Sequence, residues 1–139
     1  MSDIAAFLSA RLDEDEALAR QAAQVAGPDW TWKTEVPEGW DAPTDYVISP
    51  AGALLLDTMG GIEGEAPHVA RHDPARVLRE VEAKRNILAR YEDCLTRQED
   101  QDYPYAPAAE QAREYEDFVL PNLVAAWSDH PDYDQDWTP

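Results

Sequence analysis

The sequence predicts an α+β fold in which three main helices pack with a small antiparallel β-sheet. Three observations carry that expectation. Apolar residues recur at helical spacing over residues 3–25, a second helical stripe runs from 74 to 98 behind an Asp-Pro start, and proline and glycine divide the stretch between them into short β-type segments. With 139 residues the chain is long enough to bury one core. Residues 1–127 are read as one domain and residues 128–139 as an acidic, aromatic C-terminal tail.

The first helix is expected over residues 3–25. Ile4, Leu8, Leu12 and Ala19 form its apolar stripe, Ser2 or Asp3 can cap its amides, and Gly27-Pro28 ends it. Arg11 with Asp15 and Glu16 with Arg20 stand at i,i+4 on its charged side. The run Asp13-Glu14-Asp15-Glu16 cannot converge on one ion, because consecutive helical residues point around the axis.

Three strands are then expected. Trp30-Thr31-Trp32 places two indoles on one face, and that pair reads as core. Tyr46–Ser49 and Ala53–Leu56 form a hairpin across Pro50-Ala51-Gly52. Trp40 falls in the loop Pro37–Asp41 and is expected to be exposed. The loop Gly60-Gly61-Ile62-Glu63-Gly64 lacks the Lys-Ser/Thr ending of a P-loop and the spacing of a dinucleotide fingerprint, so it is no phosphate cradle.

A short helix over 66–72 precedes the long one. Asp73 caps the long helix, and Pro74 fits its first position, where a missing N–H loses nothing. Val77, Leu78, Val81, Leu88, Tyr91 and Leu95 form the inner stripe, while Glu80 with Lys84 and Glu82 with Arg85 are expected to pair outside. The proline-rich stretch Gln98–Pro107 breaks the chain, and a last helix over 108–127 should kink or restart at Pro121.

Charge narrows the function. Twenty-nine Asp and Glu against 11 Lys and Arg give a formal charge of −18, which disfavours direct nucleic-acid binding because phosphates are held by cationic side chains. The same charge suits a protein partner with a basic surface, or a DNA mimic that occupies a nucleic-acid-binding site. No apolar run reaches the ~20 residues of a membrane span, and Met1-Ser2-Asp3-Ile4 does not open like a signal peptide. The expected location is the cytoplasm, with no membrane partner. Cys94 is the lone cysteine, which excludes a disulfide within the chain and a Cys-rich zinc module.

Three sets of residues are candidates for function. His68 and His72, four apart, would face one way on a helix, and His130, flanked by Asp129 and Asp132, could complete a divalent-metal site for hydrolysis. The structural alternative is a latch in which Arg71 and His72 bond around Asp73 and the tail carboxylates. Trp40, Tyr103, Tyr105 and Trp137 would suit anchors of a protein interface or of self-association. The run Asp132-Tyr133-Asp134-Gln135-Asp136 begins like a calcium loop, but Trp137 stands where an EF-hand needs glycine. No Ser-His-Asp or Cys-His arrangement stands out. The reading is thus a non-enzymatic accessory or regulatory protein without a cofactor, with a metal-dependent hydrolase and a DNA mimic as alternatives.

Phe7–Glu16, His68–Arg79, and Asp129-His130-Pro131-Asp132-Tyr133 with Trp137 resemble an uncharacterised family of small acidic proteins from high-GC Gram-positive bacteria and their phages. The resemblance implies no activity. Members of that family often carry a cysteine pair between the long helix and the closing motif, whereas this chain has the single Cys94.

Overall fold

A computed structural model describes residues 2–58, 64–99 and 107–139. The elements are α1 (Asp3–Ala26), β1 (Thr31–Glu35), β2 (Thr44–Ile48), β3 (Leu54–Asp57), α2 (Glu65–Arg71), α3 (Pro74–Glu99), α4 (Pro107–Glu114) and α5 (Leu120–Val124). The class is α+β with a three-stranded antiparallel sheet in the order β1-β2-β3. Three main helices is not the full count, because α2 is a separate helix and the last helix is divided. Pro121 divides it: without an N–H the proline cannot continue the ladder, and Tyr115–Val119 widens into a π-helical turn. The Leu120 amide there reaches back to the Tyr115 carbonyl, and a 3₁₀ turn, Ala125–Trp127, follows α5.

The chain divides into two compact units, residues 1–14 with 82–139, and residues 15–81. In the first unit, one side of α1 is closed by Ile4, Ala5, Phe7, Leu8 and Leu12, all buried. Leu88, Tyr91 and Cys94 of α3, Ala112, and Leu120 and Val124 of α5 are buried as well. The tail belongs to this unit. Tyr133 is buried, and the rings of Tyr133 and Trp137 lie 6.0 and 5.2 Å from that of Phe7.

Several outer ion pairs differ from those expected. Arg11 holds Glu14 at 2.8 Å, Arg85 reaches Asp13 at 2.6 Å, and Lys84 sits over the Trp127 ring at 4.8 Å. Glu80 pairs with Arg76 at 2.6 Å, whereas Arg20–Glu16 forms as predicted. Exposed i,i+4 pairs are worth only a few tenths of a kcal/mol, roughly 0.2–0.5, so a tertiary partner readily displaces one.

The second unit holds the sheet. Val47, Ala66 and Ala70 form a buried cluster, with Trp30, Leu55, Leu56 and Val69 packed against it. Gly27, at φ +79°, ends α1 in the left-handed conformation that glycine adopts without strain, and its amide bonds the Ala23 carbonyl at 2.9 Å. The β2–β3 hairpin turns as predicted, with the Gly52 amide donating to the Ser49 carbonyl and Ser49 Oγ accepting from the Ala53 amide. Val47 opposes Leu56 and Ile48 opposes Leu54, so Leu55 is an extra residue that bulges β3.

Tyr91 gives a test of the first unit. Its phenol is buried, donates to Glu116 at 2.5 Å and accepts from the Ser2 hydroxyl at 3.2 Å. Burial, followed by the bond to Glu116, raises its pKa above the ordinary value. A group whose pKa is raised by folding stabilises fully below its unfolded value and loses that contribution as pH rises past about 10. Tyr91→Phe should cost about 1–2 kcal/mol at neutral pH and flatten the fall in stability above about pH 10, as read from urea melts at several pH values.

Candidate functional site: an edge strand and its groove

Asp73 organises the second unit. Its Oδ1 accepts the Arg76 amide at 2.8 Å, which caps α3, while Oδ2 accepts the Trp30 amide at 3.2 Å. The Ala75 amide donates to the Pro28 carbonyl at 3.0 Å, and the Trp30 indole N–H donates to the Gly27 carbonyl at 3.0 Å. Both free amides at the start of α3 therefore find acceptors that also fix the chain entering β1.

Strand parity decides which way Trp32 faces. It lies opposite Val47 in the antiparallel pairing and so shares its face, the one α2 covers. Only seven residues long, α2 reaches the Val47 and Trp30 side of that face. Trp32 stays 48% exposed, which corrects the expectation that both indoles are core. All five residues of β1 are exposed, and as an edge strand it presents backbone N–H and C=O groups on the side away from β2. Trp30, Thr31 and Trp32 from this strand and its entry, with Pro67, Ala70 and Arg71 of α2, line a groove of about 390 Å³.

The predicted metal ligands fall in both units. His68 and His72 do come together, with ring centroids 4.4 Å apart. His72 Nδ1 meets the His68 carbonyl at 2.9 Å. A carbonyl only accepts, so Nδ1 carries a proton. His130 belongs to the first unit. There Arg11 Nη1 lies against both ring nitrogens, 2.8 Å from Nδ1, and the Asp132 amide donates to Nδ1 at 3.1 Å. Among the described residues, no three His, Cys, Asp or Glu side chains gather as a metal ion would need.

The latch takes a different form from the one expected around Asp73, whose carboxylate is filled by the Trp30 and Arg76 amides. The Arg71 guanidinium has no acidic partner among the described residues. A latch does exist in the first unit between Arg11, His130 and Phe7, and the Arg11 guanidinium lies 5.1 Å from the Phe7 centroid. Arg11 is buried, and its Nε has no acceptor among the described residues.

Of the expected interface anchors, Trp40 is exposed in its loop and Trp137 is half-buried against Phe7. Tyr103 and Tyr105 lie outside the described residues, as do the glycines 60 and 61 of the Gly60–Gly64 loop. Sequence reasoning missed Trp32 and Arg71 as surface groups. The available signal was the brevity of the helix that Gly64 and the Asp73-Pro74 start allow. Val47→Ala should cost roughly 2 kcal/mol because it empties a fully buried site, and Trp32→Ala should change stability by less than about 0.5 kcal/mol. Chemical denaturation of the two variants makes the comparison.

No helix among the described residues is long and apolar enough to cross a membrane. No curated protein matches the chain, and no solved structure matches it. A sequence profile matches residues 1–139, and its family is described as a family of unknown function, DUF6221.

Proposed function

The chain belongs to DUF6221, a family of unknown function, and from that premise we propose that it is a non-enzymatic binding module acting through protein–protein interaction. An extended segment of a partner would add to the free edge of β1, with Trp32 as the apolar anchor. The observation that carries this reading is an edge strand exposed at every residue, including a half-exposed tryptophan. A covered strand would need no such reading, but an open edge is a template for another chain, and its backbone groups gain partners when a strand is added. Trp40 and Val36, both exposed on the connection that follows β1, extend the apolar surface in the same unit.

The formal charge of −18 supports a partner with a basic surface, since opposite charge speeds encounter and suppresses wrong partners. Accessory or regulatory action fits a protein whose chemistry lies in docking and not in a nucleophile or base. The location consistent with this role is the cytoplasm.

Panning the full chain against a displayed random-peptide library tests the proposal. Selected peptides should lose at least about tenfold in affinity for Trp32→Ala, in line with a buried aromatic anchor, and should bind more weakly as salt rises. Peptides indifferent to Trp32→Ala would place the interface elsewhere and overturn the β1 reading.

A further inference from the structure

The groove beside Trp32 has a chemistry that strand addition does not use. Its volume of about 390 Å³ lies in the range of small-molecule sites, roughly 300–1,000 Å³. Its lining combines two indoles with one guanidinium.

Beside the Thr31 hydroxyl, it offers two donors, the Arg71 guanidinium and the Trp32 indole N–H, that have no acceptors among the described residues. Acidic residues outnumber basic ones by 29 to 11, and Arg11, Arg20, Lys33, Arg76, Arg85, Arg90 and Arg97 all hold carboxylates. Arg71, like Arg79, Lys84 and Arg113, holds none among the described residues, and of these four it is the one that lines the groove. The contrast between the indoles is similar. Trp30 spends its N–H on the Gly27 carbonyl, whereas the N–H of Trp32 has no acceptor among the described residues.

A ligand complementary to this lining carries a flat apolar ring for the indoles and a planar anionic group for the guanidinium. A guanidinium matches a carboxylate in a two-point fork, which a compact ammonium would not do. The overall charge repels anions in general, and an arginine beside two indoles with no carboxylate partner among the described residues offsets that field locally. We propose that the groove between β1 and α2 binds a small aromatic carboxylate, with its ring against Trp30 and Trp32 and its carboxylate on Arg71. Such binding requires no partner strand at the β1 edge, and the two can fail separately.

Isothermal titration of the full chain with 2-naphthoate and with its uncharged counterpart 2-naphthamide decides the matter. The carboxylate should bind roughly tenfold more tightly than the amide, as expected for a hydrogen bond to a charged group. Arg71→Gln should erase that difference, and Trp32→Leu should weaken both probes. Arg79→Gln, on exposed α3 surface outside the groove, should change neither. Far-UV circular dichroism establishes that each variant is folded. Equal affinity for the two probes, retention of the preference in Arg71→Gln, or no binding of 2-naphthoate at millimolar concentration would each overturn the proposal.

Discussion

The carboxylate of Asp73 is the constraint on which the second unit depends. One oxygen caps the long helix and the other holds the Trp30 amide, so a single side chain sets where α3 begins and where the chain enters the sheet. An uncapped helix start leaves amides without partners, and a capping carboxylate also meets the positive end of the helix dipole. Trp30 is thereby fixed against Val47 and Ala70, and the position of Trp32 two residues on is set by strand geometry. The candidate surface is thus an outcome of one cap and the period of a strand.

The first unit solves a different problem, that of a buried charge. Arg11 is almost wholly buried, and it is held by Glu14, His130 and the face of Phe7. Burying a guanidinium is costly unless its donors are met. His130 and the rings of Tyr133 and Trp137 bring the tail to Phe7, so the acidic aromatic ending is part of a packed structure. That arrangement gives Trp137 a structural contact, while the open indole of Trp32 lies in the other unit.

Local rules made much of the fold legible. The Asp73-Pro74 start, the Gly27 stop and the hairpin turn at Pro50–Gly52 each rest on a few adjacent residues, and each is seen. The disruption at Pro121 was legible too, but its form, a π-helical turn before the proline, depends on how neighbouring carbonyls are satisfied. Parity correctly put Trp30 and Trp32 on one face. Whether that face is covered depends on the reach of α2, which is a tertiary fact. The pairings of Arg85 with Asp13 and of Arg11 with His130 span 72 and 119 residues, and no spacing rule reaches that far. That Arg71 has no acidic partner among the described residues was hidden for a related reason, since its neighbour Asp73 looked like a partner until the two backbone amides were seen to fill it.

The most direct test of the role of Asp73 is residue-resolved hydrogen exchange on the wild-type chain and on Asp73→Ala. The amides of Trp30 and Arg76 should lose protection together, and the resonances of Trp32 and Arg71 should shift with them. A Trp30 amide that keeps its protection while Arg76 loses it would contradict the central role of Asp73, because the cap and the binding face would then be independent.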